Sequence, residues 1–162
     1  MTEYVLPNDT NPLGNLMGGR LLHLMDICAA ITAQRHAGTI AVTASVDTVE
    51  FRSPIRLGEI INMEGVLNRA FRTSMEVELN VWAENPRTGE RRFCNKAFFT
   101  FVAMDETYQP IPVPKVIPET DEEKERYEAA AQRRELRLLL AGRIKLQDAP
   151  HLKDDLLEAI RA

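Results

Sequence analysis

The chain has 162 residues, of which 20 are Lys or Arg and 24 are Asp or Glu, so its formal net charge is −4. A chain of this length predicts one domain with appendages, large enough to bury a core without disulfides or metals. The acidic balance argues against nucleic acid as the main partner, and the absence of any apolar run of about 18 residues argues against a membrane span.

The first predicted element is a loop over residues 1–17, which is rich in turn-forming Asn, Asp, Pro and Gly. A helix follows, beginning at Gly18 and running to about His36, with Gly38 in the position that ends many helices. Its apolar residues cover most of the helix circumference: Leu21, Leu22, Leu24, Met25, Ile27, Cys28, Ala29, Ala30 and Ile31. A helix that is apolar nearly all round is typically buried, so we expect other elements to wrap it.

Four strands are predicted next, over residues 39–51, 60–69, 73–84 and 92–104. The alternation in the first changes phase by one residue, which predicts a bulge near Asp47 and Thr48. The third alternates strictly and should have one buried face and one face in water. The fourth has apolar residues on both faces, which predicts a central position in the sheet or a place at an interface.

The last part of the chain begins with four prolines over residues 109–118, which predict an extended linker. Thr120 and Glu123 form a capping box, so a helix should begin there and run to about Ala141, before Gly142. A break then precedes a short helical tail over 153–160. We therefore predict an α+β fold in residues 1–118, with a long apolar helix wrapped by a curved antiparallel sheet, and peripheral C-terminal helices in residues 119–162.

Asp26 is the one carboxylate within the apolar helix. Only His23 can pair with it along the helix, so we expect His23 either to pair with Asp26 or to pack against the sheet. An ordinary surface position is the alternative for Asp26, but its apolar neighbours leave little wetted surface. Ionisable groups in such surroundings cluster at functional sites, which makes Asp26 a candidate catalytic residue.

The glycines Gly18 and Gly19 at the start of the helix would leave backbone N–H groups open to an oxyanion or a phosphate. Close packing is the other common use of a glycine pair. Asn11 and Asn15 lie in the preceding loop, where turn formation is the alternative to a role in a site.

Two short basic turns follow in the strand region. One contains Arg69, Arg72, Thr73 and Ser74, and the other contains Arg87, Arg91 and Arg92. Such turns are usually solvated loops, but in an acidic protein they also suit a phosphate-bearing ligand. The three histidines show no metal-binding spacing, and no serine or cysteine lies in a nucleophile elbow. The cysteines, Cys28 and Cys94, form no C-x-x-C motif and no signal-peptide pattern is visible, so we expect buried thiols in a cytoplasmic protein.

Six segments in order along the chain carry a family resemblance. They are DTNPLGNLMGGRLLHLMD at 9–26, VTASVDTVEF at 42–51, PIRLGE at 54–59, TSMEVEL at 73–79, AFFTFVA at 97–103 and PVPKVIPETDEEKERY at 112–127. Together they resemble the hotdog-fold acyl-CoA thioesterases, in the branch of the cytosolic acyl-CoA hydrolases. The resemblance implies hydrolysis of fatty acyl-CoA to fatty acid and CoA without a cofactor or metal.

The resemblance also implies the site and the assembly. The catalytic aspartate of the family corresponds to Asp26, its asparagine to Asn11, and its helix-start glycines to Gly18 and Gly19. Two protomers pair edge to edge with active sites at their interface, and three such dimers often form a homohexamer. Many members have a histidine before the glycine pair, where this chain has Met17, so a role for that histidine is not expected here.

For the coenzyme, the resemblance implies contacts from Ser74 in the first basic turn, together with Arg72 and its neighbour Thr73. It also implies that Arg91, in the second basic turn, approaches the nucleotide. We therefore expect these four residues to bind CoA.

Gly19 and Asp26 are seven residues apart, which places them about 10 Å apart along the helix axis. A thioester carbonyl bound by the Gly19 N–H would lie too far from Asp26 of the same chain. Either the helix begins later than Gly19, or the site is composite and takes one of these groups from a partner protomer. We favour a composite site, at least dimeric, in which Asn11 could come from the partner protomer. Asp26 would act as general base or nucleophile, Asn11 would orient water or substrate, and the helix-start N–H groups would form the oxyanion hole.

Two alternatives remain on the same fold. One is a non-catalytic acyl-CoA sensor or scaffold, which would bind the ligand without turnover. The other is a hydratase, which would need a histidine where this chain has Gly14.

Overall fold

The computed structural model of the chain describes residues 1–47 and 49–153. The chain forms two compact units, Met1–Lys115 and Val116–Ala162, and the division between them falls in the proline-rich segment. The first unit contains five strands and one long helix: β1 (Thr2–Tyr4), α1 (Gly18–Ala37), β2 (Ile40–Val46), β3 (Ile60–Ala70), β4 (Ser74–Glu84) and β5 (Arg91–Met104).

The strands form one antiparallel sheet in the order β1-β3-β4-β5-β2, so β1 and β2 are its edges. Helix α1 packs against the four strands β2 to β5. The residues of β4 that alternate toward it are fully buried: Met75, Val77, Leu79, Val81 and Ala83. The predicted α+β arrangement of a helix within an antiparallel sheet is confirmed, and it is the arrangement that the hotdog resemblance implies.

The N-terminal segment contains a strand that the sequence prediction missed. Residues Thr2–Tyr4 pair with β3, and a short 3₁₀ helix follows at Pro7–Asp9. Three residues are too few to show an alternation, so the pattern could not reveal this strand. The loop is fastened to the helix start because Asp9 accepts a hydrogen bond from Arg20 Nε at 2.9 Å through Oδ1, and its carbonyl accepts one from the Met17 N–H at 2.9 Å.

Strand β2 is shorter than predicted, ending at Val46, and its bulge lies between Thr43 and Ser45. The predicted bulge at Asp47 and Thr48 is therefore wrong in position, and Thr48 itself lies outside the described residues. The phase change in the sequence arises because the apolar residues after Val46 belong to a loop and not to the strand. Because one extra residue is inserted, both Thr43 and Val46 pair with inward-facing residues of β5.

Helix α1 begins and ends as predicted, and Gly38 closes it in a left-handed conformation with φ of 67°. Only one face is buried, through Leu21, Leu24, Met25, Cys28, Ala29 and Ala33. On the other side Ile27 is 38% exposed and Ile31 is 41% exposed. The expectation of a helix buried all round is therefore wrong for one chain, because one sheet covers only one side of it.

Gly65 of β3 sets how closely α1 approaches the sheet. A Cβ atom at this position would overlap the Oγ1 atom of Thr32, and it would lie 3.6 Å from the carbonyl oxygen of Cys28. Thr32 cannot turn away freely, since its hydroxyl donates a 2.9 Å hydrogen bond to the same carbonyl. The helix lies this close to β3 because position 65 has no side chain.

The outer face of β4 is not the solvated face that the alternation predicted. Glu76 is 0% exposed and Glu78 is 5% exposed. Burial raises the pKa of Glu78, but a salt bridge from Lys96 at 2.8 Å and a hydrogen bond from Asn80 at 2.9 Å outweigh it and hold the pKa below its ordinary value. Period-two alternation therefore identified the inward face correctly but could not show that carboxylates on the other face are also buried.

The second unit contains helix α2, Asp121–Leu140. The predicted capping box is present, since the Thr120 hydroxyl accepts a hydrogen bond from the Glu123 N–H and the Glu123 carboxylate accepts one from the Thr120 N–H. Gly142 follows the helix with φ of 66°. Most of the predicted helical tail over 153–160 lies outside the described residues. None of the helices within the described ranges is long and apolar enough to span a membrane.

Candidate functional site

Asp26 of α1 is joined to the edge strand β2 by Thr43. The Thr43 hydroxyl donates a 2.6 Å hydrogen bond to Oδ1 of Asp26, whose side chain is half-buried. The other carboxylate oxygen, Oδ2, accepts no hydrogen bond from any residue that the structure describes. Asp26 is therefore held through one oxygen, while the other is open to a ligand or a water.

Thr43 was not among the candidates from sequence, and no sequence signal distinguished it. Threonine is an ordinary strand residue, and its partner lies in a different element. Only the pairing of β2 with β5 places it opposite Phe101, on the face of the sheet that α1 covers. The hydrogen bond between Thr43 and Asp26 therefore depends on the tertiary structure.

A cavity of about 500 Å³ lies beside this pair. It is lined by Gly19, Leu22, His23, Asp26, Val46, Asp47, Val49 and Phe99. Four of the lining residues are large and apolar, and Asp26 brings a carboxylate to the same space, which suits a ligand with a hydrocarbon chain and a reactive polar group. We call this space the Asp26 cavity.

His23 lines the Asp26 cavity but takes neither of the two expected positions. Its side chain is exposed rather than packed against the sheet, and no hydrogen bond joins it to Asp26. Residues three apart share one helix face, so His23 lies beside Asp26 on the wall of the cavity, but it is the more exposed of the two. The partner of Asp26 is Thr43 instead.

The start of α1 presents unbonded backbone groups. Met17 caps the helix without any side-chain hydrogen bond, and the first N–H bonded to the cap is that of Leu21, at 3.0 Å from the Met17 carbonyl. The N–H groups of Gly18, Gly19 and Arg20 have no acceptor within the described part of the chain. They lie at the positive end of the helix dipole, where an oxyanion is stabilised.

The two helix-start glycines have different surroundings. A Cβ at Gly18 would lie 3.1 Å from the ring of Phe51, whereas a Cβ at Gly19 would meet no atom within 4 Å. Gly18 therefore allows close packing, the other common use of such a glycine. Gly19 stays open and lines the Asp26 cavity.

Asn11 lies in a separate cavity of about 320 Å³, which we call the Asn11 cavity. It is lined by Asn11, Asn15, Leu16, Gly18, Leu21, Phe51, Ser53, Pro54 and Ile55. The Asn11 Oδ1 atom accepts hydrogen bonds from the N–H groups of Leu13 at 2.9 Å and Asn15 at 3.1 Å, so it shapes the turn. Its Nδ2 group donates to no residue in the described ranges. Within one chain, Asn11 and Asp26 thus open onto different spaces.

The candidate CoA-binding residues also fall in two places. Arg72, Thr73 and Ser74 lie at the turn where β4 begins, and Arg91 lies where β5 begins, paired with Glu84 at 2.6 Å at the other end of β4. At about 3.3 Å per residue, the two ends of this strand are about 30 Å apart. One chain does not bring Arg91 together with the other three.

No three His, Cys, Asp or Glu side chains lie close enough to hold a metal ion in residues 1–47 and 49–153. The thiols of Cys28 and Cys94 are both buried, and burial raises the pKa of each. A raised pKa keeps a thiol protonated and unreactive. Neither cysteine is a candidate nucleophile.

The chain matches the thioesterase superfamily over residues 13–90. It is 42% identical over 132 residues to the Bacillus subtilis protein YkhA, an uncharacterized acyl-CoA thioester hydrolase, with 82% of this chain and 77% of that protein covered. It is 41% identical over 145 residues to mouse acyl-coenzyme A thioesterase 11, covering 90% of this chain. The match covers 24% of that mouse protein, so the chain spans about a quarter of its length.

Solved structures agree with the sequence matches. An apo-hexameric acyl-CoA thioesterase superimposes with a TM-score of 0.83 at 46% identity, covering 87% of this chain and 90% of that one. An acyl-CoA hydrolase from Staphylococcus aureus, in complex with butyryl coenzyme A, coenzyme A and coenzyme A disulfide, superimposes with a TM-score of 0.78 at 33% identity, covering 100% and 93%. Structures of that enzyme with an aspartate, a threonine or an asparagine replaced by alanine also match.

Proposed function

The chain belongs to the thioesterase superfamily, and from this premise we propose that it hydrolyses fatty acyl-CoA to a free fatty acid and CoA. The observation that carries the proposal is the hydrogen-bonded pair of Asp26 and Thr43 at the edge of an apolar cavity. The hydrocarbon chain of the substrate would occupy the Asp26 cavity, against Leu22, Val46 and Phe99. The thioester would then lie at the carboxylate.

Asp26 acts as general base in this proposal. Thr43 holds Oδ1, so Oδ2 is free to take a proton from the water that attacks the thioester carbonyl. Direct attack by Asp26 would instead form a mixed anhydride, which water would then hydrolyse. In both routes the sulfur of CoA leaves as a thiolate, and no metal or cofactor takes part in a step.

The helix-start N–H groups supply the oxyanion hole. Gly19 and Asp26 of one helix are about 10 Å apart along its axis, too far to act on one thioester carbonyl. The site therefore combines two chains, with Asp26 and Thr43 from one and the helix start from the other. Asn11 precedes that helix start, so its unbonded Nδ2 group comes from the same second chain and orients the water or the carbonyl.

The exposed edge of the sheet supports pairing with a second copy. Strand β2 is an edge, and its residues Ile40, Val42 and Val46 are all exposed and apolar. Exposed apolar edge strands pair with other chains, and Ile27 and Ile31 of α1 extend the same kind of surface. A homodimer through β2 is thus the minimal unit, and the hexameric relative supports a trimer of such dimers.

The variants of the Staphylococcus aureus enzyme support the choice of residues. The asparagine, aspartate and threonine that were replaced there are separated in sequence by the same numbers of residues as Asn11, Asp26 and Thr43 are here. The same three residue types thus recur at the same spacing. This agreement in residue type and spacing favours a single site formed by all three residues over three unrelated positions.

The coenzyme would be bound near the start of β4, by Arg72, Thr73 and Ser74. Arg91 lies at the other end of that strand and is paired with Glu84. If Arg91 also contacts CoA, it must come from a different chain than the other three. We assign the catalytic role to residues 1–118 and none to the extension over 119–162, and the buried thiols suit a cytoplasmic enzyme.

Thiol release from a series of acyl-CoA esters, from acetyl to palmitoyl, tests the function directly. The wild-type protein should turn over at least part of the series, and Asp26→Asn should lower kcat by about 100-fold or more, as loss of a general base does. Asp121→Asn is the matched control, because the Asp121 side chain is exposed in the second unit. Binding of acyl-CoA without turnover by the wild type would establish the non-catalytic sensor instead.

A further inference from the structure

Arg92 lies near the start of β5 and takes no part in the proposed hydrolysis, yet its guanidinium group binds one loop through three nitrogen atoms. It donates hydrogen bonds to both carboxylate oxygens of Glu59 at 2.6 and 2.7 Å. It also donates to the Pro54 carbonyl at 2.6 Å and to Ser53 Oγ at 3.3 Å. These partners belong to residues 53–59 of the connection between β2 and β3, which we call the 53–59 loop.

The ion pair at the centre of these contacts is partly shielded from water. The Glu59 side chain is 12% exposed and that of Arg92 is 36% exposed. Hydrogen bonds from Arg92 hold the pKa of Glu59 below its ordinary value, and the same bonds hold the pKa of Arg92 above its own. Both groups are therefore charged at neutral pH, and the pair with two parallel N–H···O bonds fixes the loop in one geometry.

The 53–59 loop is bonded in turn to the residues just before α1. The Leu16 N–H donates to the Ile55 carbonyl at 2.7 Å, and the Leu57 N–H donates to the Gly14 carbonyl at 2.9 Å. The two segments form an antiparallel bridge between these bonds. Ile55 follows directly after the carbonyl that Arg92 holds, so the bridge lies within the part of the loop that is fixed.

The residues on the other side of this bridge orient Asn11. The Asn11 N–H donates to the Asn15 carbonyl at 2.8 Å. The Asn11 Oδ1 atom accepts from the N–H groups of Leu13 at 2.9 Å and Asn15 at 3.1 Å. Because the side-chain amide is planar, holding Oδ1 also sets the direction of the unbonded Nδ2 group. Asn15 directly precedes Leu16, so the turn that orients Asn11 is attached to the loop.

We propose that Arg92 is a positioning residue for the hydrolysis and acts through Asn11. The inference rests on the proposed function, in which the Asn11 Nδ2 group orients the water or the carbonyl. Arg92 holds the 53–59 loop, the loop holds residues 14–16, and this turn sets the direction of Nδ2. Arginine suits this role because its planar fork binds a carboxylate and a carbonyl together, whereas lysine offers a compact charge without a fixed fork.

Two substitutions at Arg92 separate positioning from stability. Arg92→Gln removes the ion pair and should lower kcat for acyl-CoA hydrolysis by about tenfold with little change in KM, since a misplaced orienting group slows the chemical step. Arg92→Lys keeps a charge beside Glu59 but loses the contacts to Ser53 and Pro54. It should melt near the wild-type temperature and still be about as slow as Arg92→Gln. If Arg92→Lys instead recovers kcat in proportion to its melting temperature, Arg92 serves stability alone and the proposal is overturned.

Hydrogen exchange, followed by mass spectrometry on the full chain, tests the route through the turn. In both variants the amides of residues 13–16 and 53–59 should exchange about tenfold faster or more, while residues 75–80 of β4 exchange as in the wild type. Arg126→Gln is the matched control, because Arg126 is also paired with a glutamate, Glu122 at 3.8 Å, but on α2. It should change neither exchange nor kcat.

The exchange measurement needs no substrate, so the two proposals can fail separately. Exchange that quickens in residues 53–59 but not in 13–16 overturns the route to Asn11. Wild-type rates of hydrolysis in both Arg92 variants overturn the positioning role. A wild-type protein that releases no thiol from any acyl-CoA overturns the proposed function itself.

Discussion

Thr43 of the edge strand donates a 2.6 Å hydrogen bond to the Asp26 carboxylate of the central helix. The bond joins α1 to β2, and the two residues are separated in sequence by the second half of α1 and the start of β2. It fixes the direction in which Oδ2 of Asp26 faces the cavity. Orientation of a general base contributes to the rate even when its chemistry is unchanged.

Replacing Thr43 by Val removes this hydrogen bond and keeps the shape of the side chain. We expect kcat for acyl-CoA hydrolysis to fall by about tenfold or more, with little change in KM, since Asp26 loses its orientation but the apolar cavity remains. Thr43→Ser keeps the hydroxyl and should retain most of the activity. Equal rates for the Val and Ser variants would show that the hydroxyl is not needed.

A composite site can be tested by mixing two inactive variants. Asp26→Asn and Asn11→Ala protomers, unfolded and refolded together, should regain about a quarter of the wild-type activity, because half of the dimers then contain one intact site of two. The same proteins refolded separately are the control. If mixing restores nothing while size-exclusion chromatography shows mixed dimers, each site is built from one chain.

Gly65→Ala should destabilise the fold, since the added Cβ would overlap Thr32 Oγ1. Overpacking of this kind costs about 1–3 kcal/mol in the free energy of unfolding. Thr32→Ala removes the overlapping hydroxyl, so the double variant should recover part of the loss. Urea denaturation of the three variants measures this, and additive losses would contradict the contact.

The ion pair of Glu59 with Arg92 predicts a pH dependence of stability. Hydrogen bonds from Arg92 lower the folded-state pKa of Glu59 below the ordinary value of 4.5. The pair therefore contributes its full stability above pH 4.5 and loses it as the pH falls through the folded-state pKa. Wild type should melt at a higher temperature than Glu59→Gln at pH 7, and the difference should shrink below pH 4.5.

Glu106→Gln is the control for that series, because Glu106 lies in an exposed turn and the change in charge is the same. Its melting temperature should follow that of wild type across the pH range. A difference between wild type and Glu59→Gln that stays constant from pH 7 to pH 3 would contradict the assignment. The pair would then stabilise the fold only through packing.

The elements of the fold were predicted where a long repeating pattern existed. The long apolar run of α1, the alternation of β4 and the capping box of α2 are each clear enough in the sequence to be recognised. Strand β1 has three residues, too few to show a pattern, and the bulge in β2 was predicted in the wrong place because the phase change came from loop residues after Val46. The burial of Glu76 and Glu78 was also not predicted. The periodicity of a strand shows which side chains share a face but not what covers that face.

The sequence by itself determined which residues are chemically unusual: a carboxylate within an apolar helix at Asp26, a glycine pair at the helix start, and Asn11 in the preceding turn. Only the tertiary structure decided their partners. It joined Asp26 to Thr43, placed Asn11 in another cavity, and put Arg91 at the opposite end of β4 from Ser74. The physical reason is that composition and periodicity describe residues that are close in sequence, whereas the distances between elements depend on strand pairing and helix packing.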